Sequence, residues 1–224
     1  MEEVRRRMLS AYNQSIESNE PLSWFEELYS GSEKERENIP WDWKEPHPFL
    51  VEWVEGISNP GKALVVGCGL GEDASFLSRE GWEVTAFDIS ESAVSWAKQL
   101  HEGLEINWAV ADLLNLPESW NGKFDLVLEV HILQAIPLDI REQAAPLLAP
   151  LVSNGGKLVC IGRLEDGEQS QEGPPWPLTI DFIEKIGSGL EPVEIHTAII
   201  PAKESNRYRA TWEKNRCISQ HQMY

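Results

Sequence analysis

Residues Lys62 to Asp88 read KALVVGCGLGEDASFLSREGWEVTAFD, and the rest of the chain is arranged around them. The apolar run Ala63-Leu64-Val65-Val66 is too short and too β-branched for a helix of its own, and reads as a strand. Gly67, Gly69 and Gly71 follow at alternate positions. The spacing then predicts a helix from about Glu72 to Arg79, with Phe76 and Leu77 on one face and Gly81 placed to stop it. A second strand, Val84-Thr85-Ala86-Phe87, ends on Asp88. Strand, glycine turn, helix and strand make the first βαβ unit of a Rossmann-like, doubly wound α/β sheet.

Such a turn is suited to hold a nucleoside. Glycines can take left-handed backbone angles and let a ligand lie against the main chain, and the following helix start offers free N–H groups. Cys68 sits inside the turn, where a small side chain fits, and reads as packing in place of a nucleophile. Asp88 stands 21 residues after Gly67, near the spacing of about 20 at which a carboxylate accepts both ribose hydroxyls. A dinucleotide fingerprint would put its third glycine where Glu72 stands. Here that glycine comes one residue early, and Glu72-Asp73 would repel a pyrophosphate. The two carboxylates suit a positively charged ligand such as S-adenosylmethionine, or they simply complement the helix dipole. Asp88 also opposes the 2′-phosphate of NADP. The turn as a whole favours the methyl donor.

A chain of 224 residues, 42% hydrophobic, accommodates one sizeable α/β domain and not two. Its 19 basic and 37 acidic side chains leave a net charge of −18, with a pI near 4.6. Such a surface repels phosphate backbones and anionic lipid, which argues against nucleic-acid and membrane partners. Cys68, Cys160 and Cys217 contain no C-x-x-C pair, which speaks against a disulfide framework or a metal site and for a reducing cytoplasm. No apolar stretch approaches the roughly 18 residues of a membrane span, and the N-terminus lacks signal-peptide architecture. The expected location is cytoplasmic.

Residues 1–60 precede the first strand and carry no strand pattern. They read as an N-terminal helical lid, with residues 61–224 forming the donor-binding domain. The lid holds Trp24, Trp41, Trp43 and Trp53, four of the chain's ten tryptophans, interrupted by Pro21, Pro40, Pro46 and Pro48. Lying across the carboxyl ends of the strands, Trp24 and Trp41 would exclude water and stack on substrate or adenine, or else pack the helices onto the core. After Asp88, Ser90 caps a helix to about His101. The strand Glu105–Ala111 then ends on Asp112-Leu113, where Asp112 either meets the adenine amino group or forms a turn.

The apolar strand Phe124–Val130 delivers Glu129 and His131 to the cleft. His131 is the candidate general base and acceptor contact, with a hydrogen-bonded structural histidine as the alternative. Glu129 either orients the methionine end of the donor or caps a backbone group. A helix from Asp139 breaks near Pro146 and Pro150, and Gly155-Gly156 leads into a strand from Lys157 to Gly162. The loop Arg163–Pro177 ends in Gly-Pro-Pro-Trp-Pro, where Trp176 would wall a substrate pocket. Thr179 caps the next helix, and Glu191–Ile200 with Asn206–Glu213 predict a terminal antiparallel hairpin.

With these residues laid out, the segment from Leu64 to Glu213 resembles the class I S-adenosylmethionine-dependent methyltransferases. The marks are VVGCGLGEDA, the acidic end of TAFD, VADLL, and FDLVLEVHILQAIP followed by GGKLVCIGR. The resemblance implies a seven-stranded sheet, mostly parallel, with a final antiparallel strand. It implies donor contacts at Gly67, Cys68, Gly69 and Gly71, ribose at Asp88, adenine near Ile89, Asp112 and Leu113, and the acceptor near Glu129 to His131. The tryptophan-rich start and the GPPWP loop are similar to small-molecule enzymes of the thiopurine, halide and tellurite methyltransferase type. The N-P-P-Y/F signature of amino-methylating enzymes is replaced by Glu129-Val130-His131-Ile132, which lowers the case for DNA or protein substrates.

A sulfonium donor is already activated, so a soft acceptor such as a thiolate needs no base, whereas a hydroxyl or amine does. The expected activity is methyl transfer to a small molecule, with a thiol or other soft nucleophile as acceptor. A catalytically silent donor-binding module and an NAD-linked oxidoreductase are the competing readings.

Overall fold

β1 (Lys62–Val66) is the axis of a seven-stranded sheet. In the computed structural model, which describes residues 2–165, 167, 173–200 and 205–216, β1 pairs in parallel with β2 (Glu83–Asp88) on one side and β4 (Phe124–Val130) on the other. β3 (Ile106–Val110) extends the first side, and β5 (Val152–Arg163) the second. β7 (Ser205–Glu213) then runs antiparallel to β5, and β6 (Glu191–Ile200) forms the edge, giving the order β3-β2-β1-β4-β5-β7-β6. The chain leaves β1 in one direction and β4 in the other, so the carboxyl ends of these two strands form the switch point where ligands settle in open sheets.

The strands are apolar on both sides because helices cover both faces. Leu64, Val66, Val127, Leu158 and Cys160 pack with Ile140, Leu148, Ile183 and Ile186, brought by α6 (Leu138–Ala144), the following 3₁₀ turns and α7 (Ile180–Ile186). Ala63, Val65, Leu126, Leu128 and Val159 pack with Phe49, Leu50 and Val54 of α3 (Pro48–Glu55) and with Ala74 and Leu77 of α4 (Glu72–Arg79). Local signals start several helices. The Ser90 hydroxyl accepts from the Ala93 N–H at the start of α5 (Glu91–Leu100), and the Thr179 hydroxyl accepts from the Phe182 N–H at the start of α7.

α1 (Glu2–Glu17) and α2 (Ser23–Ser30) form an additional layer. Trp24 and Leu28 are fully buried against Met8 and Ala11, while Tyr29 packs with Leu70, Ala93 and Trp96 on the α5 side. The fifth strand begins at Val152, five residues before the predicted start at Lys157, because the chain keeps pairing with β4 through a register shift opposite Phe124 and Leu126. Cys217 and residues 168–172 of the predicted substrate-wall loop lie outside the described residues. Among the described residues no helix is long and apolar enough to cross a membrane, and no group of side chains is arranged to hold a metal ion.

Candidate active site

All three glycines of the turn adopt the left-handed backbone that favours glycine, with φ of +58°, +52° and +85° at Gly67, Gly69 and Gly71. Each also meets a close neighbour. A Cβ on Gly67 would overlap Ile132, one on Gly69 would press on the Tyr29 hydroxyl, and one on Gly71 would overlap the Trp108 ring. Gly71 therefore serves close packing between α4 and β3.

Asp88 ends β2 with its side chain buried beside the turn. Its Oδ2 accepts from the Gly69 N–H and its Oδ1 from the Ser90 N–H, both at 2.9 Å. Burial pushes its pKa up, and those backbone N–H groups pull it partly back. Each oxygen keeps a further lone pair, so the carboxylate can accept two more hydrogen bonds from a vicinal diol.

Above it opens a cleft, continuous with solvent. Gly67, Asp88, Ile89, Asp112 and Leu113 line it, together with Leu22, Phe25, Ile132 and Ile136. Five of the expected donor residues thus meet in one place, with an acidic floor and apolar walls, as a nucleoside requires. Asp112 lines the cleft, and its Oδ1 accepts from the Leu114 N–H at 2.9 Å, the bond of a turn-forming Asp. Cys68 stands outside the wall, packed with the β1–β4 core face, its thiol 3.9 Å from the Gly69 carbonyl. That agrees with a packing role.

Glu129 also stands outside the wall. It is 1% exposed, and its Oε1 accepts from the Ile132 and Leu133 N–H groups at 2.6 and 3.0 Å. Of its two expected roles this geometry matches the backbone cap. Burial raises its pKa to about 7. A carboxyl that holds its proton more tightly when folded stabilises the fold at low pH, and that contribution is lost as pH rises from the unfolded value near 4.5 through 7. The stability advantage of the wild type over Glu129→Gln should therefore shrink by about 3 kcal/mol between pH 4.5 and 7.5 and stay flat above. Urea titrations at several pH values would show it, and a difference independent of pH would contradict it.

His131 has a left-handed backbone, φ +66°, and its ring does not line the donor cleft. Its Nε2 lies 3.1 Å from Arg207 Nη1. Arginine only donates, so Nε2 accepts and the ring proton sits on Nδ1. Burial, His47 and Arg207 hold its pKa well below the usual histidine range. The one lone pair a base would use is already engaged, which runs against His131 as the general base.

The two carboxylates at the start of α4 are occupied by the N-terminal segment. Arg36 donates to Glu72 Oε1 at 2.6 Å while its guanidinium grips Asp42, and the His47 N–H donates to Asp73 Oδ1 at 2.8 Å. They hold residues 36–47 against the donor turn, and so do not wait for a cationic ligand. Glu26 adds a third anchor, accepting from the Ser92 N–H and from the Ser90 and Ser92 hydroxyls at the start of α5. Sequence patterns showed these acids, but nothing in them identified partners tens of residues away.

The expected tryptophans divide. Trp24 is 1% exposed and packs inside the N-terminal layer between Tyr12, Phe25 and Trp41. It is not a substrate wall, and its neighbour Phe25 reaches the cleft instead. Trp41 donates to the Tyr29 hydroxyl at 2.8 Å and so supports the group lying over Gly69. Trp176 is half-buried, edge-on to Tyr12 at 5.6 Å, and its backbone N–H donates to the backbone carbonyl of Gln134.

A family model described as thiopurine S-methyltransferase matches residues 32–198, about three quarters of the chain. The chain belongs to the thiopurine S-methyltransferase family. It is an S-adenosylmethionine-dependent methyltransferase that acts on a small molecule. Its relatives include a probable thiol methyltransferase 2 of Arabidopsis thaliana, 28% identical over 79% of this chain and 80% of the relative. Another is thiocyanate methyltransferase 1 of the same plant, 27% identical over 80% and 82%. The N-methyltransferase NodS from Bradyrhizobium japonicum, solved with S-adenosylhomocysteine, shares the fold at a TM-score of 0.66 and 19% identity, covering 84% of this chain and 98% of that one. The 1,6-didemethyltoxoflavin-N1-methyltransferase of Burkholderia thailandensis does so at 0.67 and 18%, covering 84% and 87%. The methyltransferase's own residues fit the donor: a turn with left-handed angles at three glycines, a buried carboxylate with lone pairs to spare, and apolar walls.

Proposed function

We propose that this methyltransferase acts on a soft, sulfur-type nucleophile. The observation that carries this reading is that the one candidate base is engaged: the His131 lone pair is taken by Arg207. A thiolate acceptor needs no base. The plant relatives' names, thiol and thiocyanate methyltransferases, support the same class.

In this reading Gly67 and Gly69 bring bare backbone to the donor, Asp88 accepts the ribose hydroxyls, and Ile89, Asp112 and Leu113 flank the adenine. The donor supplies a methyl group on a positively charged sulfur, open to in-line displacement. The protein's share is alignment and exclusion of water. Residues 1–60 serve as the cover, held down at Glu26, Arg36 and His47. Trp176, with Tyr12, walls the acceptor side. A cytoplasmic setting, with small-molecule partners and no nucleic acid, fits the free thiols of Cys68 and Cys160 and the acidic surface.

Labelled donor offered with a panel of thiols, phenols and amines tests this. Thiols should be methylated, and phenols and amines far less. Preferential transfer to an amine or phenol would overturn the soft-acceptor reading, and donor binding with no turnover would point to a silent module. His131→Gln should leave kcat with a neutral thiol within about threefold, whereas loss of a general base would cost about 100-fold or more.

A further inference from the structure

Beside the donor cleft, above the ends of β4, β5 and β7, lies a polar cluster with an imbalance of hydrogen-bonding groups. The rings of His47 and His131 are 5.4 Å apart. Trp43 stacks on His47 at 5.0 Å, and the Arg207 guanidinium sits 5.2 Å over the Trp43 ring. His47 and Arg207 are only 4% and 6% exposed.

The protons in this cluster can be placed. His131 Nε2 accepts from Arg207, so its N–H is at Nδ1. His47 Nδ1 accepts from the Phe49 N–H at 3.2 Å, so its N–H is at Nε2. Burial and the nearby guanidinium keep both imidazoles neutral, His47 down to about 3. His131 Nδ1, His47 Nε2 and Arg207 Nε are all buried without a hydrogen-bond partner. All three are donors. Arg207 also has no carboxylate within ion-pair distance among the described residues, in a chain with 37 acidic side chains. Arg163, opposite it in the β5–β7 ladder, brings a second positive charge. A buried, unpaired guanidinium among unfilled donors is costly unless an anion completes it.

The sheet fixes how far this cluster stands from the chemistry. β5 separates β7 from β4, so at about 4.8 Å per strand the Arg207 backbone lies roughly 10 Å from β4. The donor turn follows β1, on the far side of β4. The Arg207 guanidinium reaches back to His131 at the end of β4 but does not line the donor cleft, which places it to hold a part of a small molecule that lies outside that cleft.

We propose that His47, His131 and Arg207 form a subsite for a negatively charged group, a carboxylate or similar oxyanion, carried by the acceptor away from the atom that is methylated. This rests on the methyl-transfer reading, which makes this side of the cleft the acceptor side. The acceptor is then a thiol acid, and His47 and Arg207 select it over neutral thiols.

Binding of product-like thioethers tests the subsite without turnover. Protein saturated with S-adenosylhomocysteine would be titrated calorimetrically with ω-(methylthio)alkanoates from propanoate to hexanoate and with the corresponding alcohols. At least one acid should bind about tenfold or more tightly than its alcohol. Arg207→Met should close that gap while leaving S-adenosylhomocysteine affinity unchanged. Acids binding no better than alcohols, or a gap that survives Arg207→Met, would overturn the proposal. In the unaltered protein, the ¹⁵N signals of His47 Nε2–H and His131 Nδ1–H should shift with the acid and not with the alcohol; no shift with a bound acid would also overturn it, even if the variant fails to fold. Failure of the methyl-transfer reading looks different: the acid preference would remain, but no thiol would be methylated.

Discussion

Asp88→Ala should weaken binding of S-adenosylmethionine and S-adenosylhomocysteine by about 2–3 kcal/mol, roughly 30- to 150-fold. The carboxylate lies buried on the floor of the cleft, with each oxygen already taking one backbone N–H and retaining a lone pair. The variant removes the proposed acceptor of both ribose hydroxyls and also releases the Gly69 and Ser90 N–H groups. Asp88→Asn separates the two effects, because the amide still offers one oxygen while losing the charge; it should fall between wild type and Asp88→Ala. Calorimetric titration with S-adenosylhomocysteine gives both values. Unchanged affinity in a folded Asp88→Ala protein would place the ribose elsewhere.

Gly71→Ala should cost more in stability than a surface substitution can, about 2–5 kcal/mol. Two terms add. A side chain at φ +85° is in the left-handed region, at about 1–2 kcal/mol, and the new methyl overlaps the Trp108 ring and forces it to move, at about 1–3 kcal/mol. For a domain of this size the melting temperature should fall by roughly 4–20 °C. Gly103→Ala is the useful comparison. Its φ is +90°, yet a methyl there meets nothing within 4 Å, so it should show the backbone term alone. Equal losses at the two positions would mean that the Trp108 contact contributes nothing.

What could be read from the sequence follows how local each determinant is. The β1–α4–β2 unit was legible because glycine angles, strand length and helix stop all lie within Lys62–Asp88, and α4 spans Glu72–Arg79 as the pattern predicts. The Ser90 and Thr179 caps were equally local. The hairpin of β6 and β7 showed in its β-branched runs, but nothing in it revealed that β7 would insert between β5 and β6. That insertion sets Arg163 opposite Arg207 and builds the charged cluster beside the cleft.

Side-chain direction was the harder part. Trp24 and Phe25 are adjacent in α2, and only the position of α1 decides that the first is interior and the second reaches the cleft. His131 lies just beyond the fourth strand, which put it in the expected cleft; its backbone there is left-handed and its ring meets Arg207. Glu72 and Asp73 looked available for a cationic ligand because their partners, Arg36 and the His47 N–H, come from a segment without a repeating pattern.

The most direct test is a crystal structure with S-adenosylhomocysteine bound. The ribose hydroxyls should lie within hydrogen-bond distance of both Asp88 oxygens, the adenine between Ile89 and Leu113, and the sulfur on the side of Gly67 and Ile132. A ribose held by any other carboxylate, or a ligand lying outside the cleft above Gly67, would contradict the site described.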